Sequence, residues 1–87
     1  MKKYKNKLKY RSWHRGTKEA DLFLGKFFDM HVSKMTEEDL VLYEKFLNLL
    51  DDNDLLYIVK GEKDWNPIFP SKIVSLIEEF IKSENIR

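Results

Sequence analysis

Residues 17–31 read Thr-Lys-Glu-Ala-Asp-Leu-Phe-Leu-Gly-Lys-Phe-Phe-Asp-Met-His. This stretch carries a strongly apolar helical pattern around which we expect the other segments to pack. Thr17 stands where a hydroxyl side chain commonly caps a helix. After it, one stripe of residues recurs with the i, i+3, i+4, i+7 spacing of a helix face. The stripe consists of Ala20, Phe23, Leu24, Phe27, Phe28 and His31. We therefore expect an amphipathic helix that begins near residue 16 or 17 and buries this face.

Gly25 stands inside this predicted helix, where a glycine lowers helix stability by about 1 kcal/mol relative to alanine. Two roles account for it: close packing against a neighbouring helix, which we favour, or close approach of a binding partner. Both need a residue without a side chain. Leu22 falls on the opposite side of the helix, away from the buried stripe.

Four other segments are predicted to be helical. Residues 1–13 show only weak amphipathy. Residues 36–39, Thr-Glu-Glu-Asp, resemble a capping box, residues 51–54 offer several capping carboxylates, and Ser71 is the predicted cap of the last helix. The predicted buried positions are Leu40, Tyr43, Leu47 and Leu50 in the third helix, Leu55, Leu56 and Val59 in the fourth, and Ile73, Leu76, Ile77, Phe80 and Ile81 in the fifth.

The loop of residues 62–70 is too apolar to be merely solvated. It contains Trp65, Pro67, Ile68 and Phe69. We expect these residues to fold back as a lid over the core, with Trp65 as the anchor.

The composition favours an all-α protein. A chain of 87 residues forms one domain, 1–87, with a single modest core. Hydrophobic residues make up 43%, which is typical of a folded protein, and three glycines and two prolines are too few for a sheet with many turns. The prediction is a compact single-domain bundle of five helices, a monomer when free.

Cysteine is absent, so the sequence has no disulfide framework and fits a reducing compartment. The lysine-rich start resembles the first part of a signal peptide, but the apolar run of about 7–15 residues that would follow is missing. No apolar stretch reaches the roughly 18 residues that a membrane span needs. We expect a cytoplasmic protein that does not insert into membranes.

Positive charge is concentrated at one end of the chain. Eight lysines and arginines precede the first acid, Glu19, while the rest of the chain carries 8 basic and 15 acidic residues. Such an arm suggests an anionic partner, or attraction to the acidic body that is strongest at low salt. Nucleic acid is one alternative partner. The cations could neutralise phosphates, and the aromatic rings of Tyr4, Tyr10 and Trp13, which are interleaved with them, could stack bases. The net charge of only +1 argues against it, and we favour a solvated basic helix.

The patterns that carry catalysis or metal binding are missing. The two histidines, His14 and His31, lie 17 residues apart without cysteines, so we expect no metal site. Ser12, His14 and Asp21 supply the residue types of a nucleophile array, but the glycines of a nucleophile elbow are absent. Neither a Walker-type loop nor a G-x-G-x-x-G fingerprint occurs, so we expect no bound cofactor. The chain is predicted not to be an enzyme.

Arg15, Gly16 and Glu19 instead suggest a docking surface. A bare glycine lets another backbone come close, and two opposite charges flank the gap. The alternative is structural, because glycine often marks a helix boundary and a glutamate in a first turn offsets the helix dipole.

The whole string resembles the small succinate dehydrogenase assembly factors, the flavinylation factors whose hallmark is R-G-x-x-E. The matching segments, in the same order and spacing, are Trp13-His14-Arg15-Gly16-x-x-Glu19-x-Asp21, Phe27-Phe28, Thr36-Glu-Glu-Asp39 and Leu49-Leu50-Asp51-Asp52-Asn53-Asp54-Leu55.

The resemblance implies a five-helix bundle that acts as a non-enzymatic assembly chaperone. Its client would be the flavoprotein subunit of succinate dehydrogenase, and in bacteria also that of fumarate reductase, on which it promotes covalent attachment of FAD to a histidine. Carried over to this chain, the resemblance makes Arg15, Gly16 and Glu19 the docking motif. His14 and Asp21 become flanking contacts.

Three positions depart from the family pattern. His14 stands where a second arginine is common, Thr17 where methionine or leucine is common, and Ile58 where a tryptophan is expected. These departures bear on the choice of partner more than on the fold. Members of the family have also been labelled antitoxins of a toxin–antitoxin pair, which is the alternative function together with a small basic nucleic-acid-binding module.

Overall fold

The computed structural model describes residues 2–87, which form five α-helices and one short 3₁₀ turn and contain no strand. The helices are α1 Lys2–Trp13, α2 Lys18–His31, α3 Glu37–Leu49, α4 Asp52–Val59 and α5 Ser71–Ser83, and the 3₁₀ turn is Val32–Lys34. α1 packs on α2 and α3, α4 packs on α2, and α5 packs on α3. The prediction of an all-α single domain with five helices is confirmed.

α2 begins where its cap predicts. The Thr17 hydroxyl accepts a hydrogen bond from the Ala20 backbone N–H at 3.3 Å. The negative charges of Glu19 and Asp21 in the first turn interact favourably with the positive end of the helix dipole. Four residues of the predicted stripe are fully buried, while Phe23 and His31 are half-buried at its edges. α2 therefore forms one wall of the core along its whole length.

Tyr43 of α3 occupies the centre of that core. Its ring stacks on Phe28 and Phe46, with centroids 5.3 and 6.1 Å apart. Its hydroxyl lies 2.6 Å from the Ser12 hydroxyl, which itself donates to the Leu8 carbonyl at 2.8 Å. Ser12 has its only hydrogen committed to that carbonyl, so Tyr43 is the donor, and this buried chain of hydrogen bonds ties α1 to α3.

The loop after α4 covers the core only in part. Trp65 and Phe69 pack against Phe46, with ring centroids 5.8 and 5.3 Å away, which confirms Trp65 as an anchor. Ile68 is 57% exposed and Pro67 is also exposed, so the predicted lid is wrong for these two residues. A two-residue aromatic contact is sufficient to close this end of the bundle.

Two local predictions are corrected by the structure. Ser71 is the first residue of α5 and not its cap, because the Pro70 carbonyl already accepts the first helical hydrogen bond, from Val74 N–H at 3.0 Å. In α4 the buried positions are Leu55 and Ile58, whereas Leu56 and Val59 are half-buried. The short helix is rotated relative to the predicted stripe.

Gly25 is a point of close contact between α1 and α2. A Cβ atom built on it would overlap Cδ2, Cε2 and Cε3 of the Trp13 indole. The indole N–H donates to the Asp29 carboxylate at 3.2 Å, which fixes the ring over the glycine. The preference for helix packing over a binding role at Gly25 is therefore confirmed.

Asp39 joins α3 to α5. It is buried, its Oδ2 accepts from the Thr36 backbone N–H at 3.1 Å, and its Oδ1 has the Lys72 ammonium 2.5 Å away as its partner. The hydrogen bond from Lys72 and the backbone hydrogen bond from Thr36 hold the pKa of Asp39 below its usual range.

No helix among the described residues has the length and apolarity to cross a bilayer.

Gly25→Ala is expected to lower the free energy of unfolding by about 1–3 kcal/mol, because the new methyl group pushes the Trp13 ring away. In a Trp13→Leu background the same change should be neutral or stabilising, since alanine favours helix by about 1 kcal/mol. A double-mutant cycle in urea measures the coupling. Penalties that simply add would contradict the contact.

Stability should fall in acid through Asp39. Its pKa is lower in the folded state than in the unfolded chain, so its contribution is fully present above about pH 4 and is lost as the pH falls through the folded value. Asp39→Asn keeps the cap oxygen but loses the charge, and should flatten the dependence of the urea midpoint on pH below about 5. Glu37→Gln, an exposed acid of the same turn, is the control and should leave that dependence unchanged.

Candidate functional site

The turn between α1 and α2 carries the predicted docking residues, and Asp21 shapes it. One carboxylate oxygen of Asp21 accepts hydrogen bonds from two successive backbone N–H groups, those of Arg15 and Gly16, the latter at 3.3 Å. Gly16 has a φ of +121°, which side-chain-bearing residues rarely adopt. The turn is thus held from inside by the first turn of α2.

Arg15 points into the protein. Its guanidinium donates to the Leu47 carbonyl at 3.1 Å, to the Leu50 carbonyl at 2.9 Å and to the Asp52 carboxylate at 3.0 Å. Only 14% of its side chain is exposed. The two carbonyls lie at the C-terminal end of α3, where a cation offsets the negative end of the helix dipole, and Asp52 opens α4. Arg15 therefore locks the turn onto the corner between α3 and α4.

His14, Gly16 and Glu19 point outward. Each is exposed, and the side chains of His14 and Glu19 form no hydrogen bond or ion pair within residues 2–87. A Cβ on Gly16 would meet nothing within 4 Å, so its outer face is open. The imidazole of His14 stacks on the exposed ring of Tyr10, with centroids 4.3 Å apart.

Shallow grooves flank this turn on both sides. His14 lines one of about 580 Å³ together with Tyr10, Trp13 and Asp29. Glu19 lines another of about 390 Å³, whose walls include the exposed side chains of Leu22 and Ile86. His14 and Glu19 thus each line a depression, and the outer face of Gly16 is open. We call these three outward residues the ridge, and exposed residues beside shallow depressions suit contact with a protein surface.

The five predicted residues are brought together, but in two groups. Arg15 and Asp21 build the turn, whereas His14, Gly16 and Glu19 are presented by it. Their role in docking stays a prediction. The partners of Arg15 were not predicted from the sequence. Asp52 was expected to serve in helix capping alone, and no local spacing indicates a contact across 37 positions.

The structure does not bring Ser12, His14 and Asp21 together as a nucleophile array. The Ser12 hydroxyl is fully buried and is engaged with Leu8 and Tyr43, so it does not meet His14 as a nucleophile would. Within residues 2–87, no group of three or more metal-ligating side chains converges. The site offers shape, an exposed carboxylate and a stacked aromatic pair.

Comparison with known proteins places this turn in a family context. Residues 6–81 match the family model described as flavinator of succinate dehydrogenase. Similar curated proteins are succinate dehydrogenase assembly factor 2, mitochondrial, of Drosophila grimshawi, 29% identical over 91% of this chain and 54% of its own length, and the 2-B form of Drosophila melanogaster, 31% identical over 91% and 51%. The Dictyostelium discoideum protein with the assembly factor 2 name is 30% identical over 97% and 59%.

The chain spans about half the length of the curated relatives that it matches. No solved structure matches it.

Arg15→Ala is expected to lower the free energy of unfolding by about 2–3 kcal/mol, since it removes three charge-assisted hydrogen bonds in a mostly buried setting. Arg15→Lys should recover part of this, because an ammonium cannot span both carbonyls and Asp52. Lys18→Ala, an exposed neighbouring cation, is the control and should stay within about 0.5 kcal/mol of wild type. Equal urea midpoints for Arg15→Ala and Lys18→Ala would refute the structural role.

Proposed function

The chain belongs to the family of flavinators of succinate dehydrogenase, and from this premise we propose that it binds the flavoprotein subunit of that enzyme and promotes covalent attachment of FAD to it. The observation that carries the proposal is the split of the R-G-x-x-E turn. Its inner residues fix the backbone, and its outer residues are exposed, with no side-chain hydrogen bond or ion pair in residues 2–87. A surface fixed in shape before binding loses little conformational entropy on docking.

The proposed contribution to flavin attachment is positional. The bond between flavin and histidine forms within the flavoprotein, so a partner that holds the domains of that subunit and its FAD in a reactive arrangement speeds the reaction without supplying a catalytic group. Gly16 lets a backbone of the client approach, and Glu19 offers a carboxylate beside it. In this proposal the chain is not an enzyme and carries no cofactor of its own.

Three narrower statements belong to the same proposal, and one alternative function stands beside it. The flavoprotein subunit of fumarate reductase is a second candidate client, as the resemblance implies. The free protein is expected to be a monomer. The cytoplasmic location stays a prediction from the sequence, while the names of the relatives include the word mitochondrial. The antitoxin alternative has no contact in residues 2–87 in its favour.

The test separates docking from backbone strain at Gly16. Gly16→Ala and Gly16→Arg both force a side-chain-bearing residue to a φ of +121° and should destabilise the fold alike, by about 1–3 kcal/mol. Only arginine places bulk on the outer face, so only Gly16→Arg should abolish co-purification with the flavoprotein subunit. Glu19→Ala should also lose binding while lowering the free energy of unfolding by less than about 1 kcal/mol, its share of the helix-dipole interaction. Glu62→Ala, an exposed acid elsewhere, should bind normally.

Covalent flavin is read as in-gel fluorescence of the flavoprotein subunit from cells that carry each variant as their only copy. Variants that lose binding should lower that fluorescence, and Gly16→Ala should retain most of it. Wild-type fluorescence with Gly16→Arg, at equal protein level, would show that the outer face of the turn is not the docking surface.

A further inference from the structure

The outward face of α1 carries exposed lysines that lead to the docking turn. We call Lys2, Lys3 and Lys9 the basic stripe, since all three are exposed on this helix. Twelve residues of helix extend about 18 Å. Beyond the stripe on the same face lie Tyr10, which is 66% exposed, and His14 stacked against it.

The acidic body of the protein does not neutralise this stripe. Glu44 takes up two other cations of the helix, Lys7 at 3.2 Å and Arg11 at 3.7 Å. Lys9 lies 3.9 Å from Asp29, with both side chains well exposed, and such a pair contributes little. Lys2 and Lys3 have no carboxylate within 4.0 Å in the described part of the chain. The expected attraction between arm and body is therefore carried mainly by Lys7 and Arg11 on Glu44.

Nucleic acid is a poor occupant of this face. Of the three aromatic residues interleaved with the cations, Tyr4 is half-buried and donates its hydroxyl hydrogen to Glu44 at 2.8 Å. Trp13 lies on Gly25, so its ring is engaged within the bundle. Only Tyr10 is left to stack a base, whereas single-strand binding sites stack successive bases on several aromatic side chains.

A lipid surface fits no better. Membrane-surface helices present large apolar side chains beside their cations. Along residues 2–13, Tyr10 is the only large hydrophobic residue that is strongly exposed. A partner that complements the charge of the stripe would therefore be polar and acidic.

We propose that the basic stripe docks against an acidic surface of the flavoprotein subunit, next to the site where the turn binds. This inference rests on the proposed function, because the stripe is continuous with the outward residues of the motif. Exposed charges at the edge of an interface mainly accelerate encounter, and they do so less as salt screens them. The stripe thus steers the client onto the Gly16–Glu19 ridge.

The test compares two triple variants with the same net charge. K2Q/K3Q/K9Q removes the stripe, and K45Q/K60Q/K82Q removes three exposed lysines that form no ion pair in residues 2–87 and lie on other parts of the surface. Association and dissociation rates are measured with purified flavoprotein subunit from low to high salt. The stripe variant should associate about 10-fold more slowly at low salt, with a flatter salt dependence and a nearly unchanged dissociation rate.

The control triple should stay within about twofold of wild type in association. Equal slowing by both triples would overturn the proposal, because net charge alone would then explain the effect. Unchanged association of the stripe variant would also overturn it, as would selective loss of binding to a fluorescent single-stranded oligonucleotide without loss of client binding. Failure of wild type itself to bind the subunit at any salt is a different result, and it would overturn the proposed function together with this inference.

Discussion

Three hydrogen bonds from the Arg15 guanidinium fix the turn between α1 and α2 onto the corner between α3 and α4. The guanidinium reaches the last carbonyls of α3 and the first acidic residue of α4 from a turn that precedes α2. Two segments that lie more than 30 positions apart in sequence, the turn before α2 and the corner between α3 and α4, therefore meet at one side chain. Because the carboxylate of Asp21 holds the same turn from the other side, the backbone between them has little freedom, and the outward residues inherit that rigidity.

The packed core holds the helices on either side of this corner in place. Aromatic rings from α2, α3 and the loop after α4 surround Tyr43 and Phe46, and the buried hydrogen bond from Tyr43 to Ser12 ties in α1. The indole of Trp13 on Gly25 closes the α1–α2 contact. The end of α1 is thereby fixed immediately before the turn, so the turn is held between packed helices on both sides.

Periodicity and caps made most of the fold predictable. The predicted stripes of α2, α3 and α5 face the core, because one buried face repeats with the period of the helix, although Phe23, His31 and Leu76 are only half-buried. Thr17 and Thr36 cap α2 and α3 as predicted. The errors fell where fewer residues decide the outcome, at the short α4, at Ser71 and at Pro67 and Ile68 in the loop. The site residues were recognisable as a string, but the inward direction of Arg15 depends on contacts across more than 30 positions, which no local spacing encodes.

The inward direction of Arg15 has a consequence for how genetic variants of this protein would present themselves. A lost cation at this position leaves two helix-end carbonyls and Asp52 without their partner, so more of the chain is unfolded at any moment and open to cellular proteases. A carboxylate lost at Glu19 leaves the protein nearly as abundant as before. If the proposed function holds, both variants would lose it, and only the steady-state amount of the protein in the cell would tell a scarce protein from an abundant but inactive one.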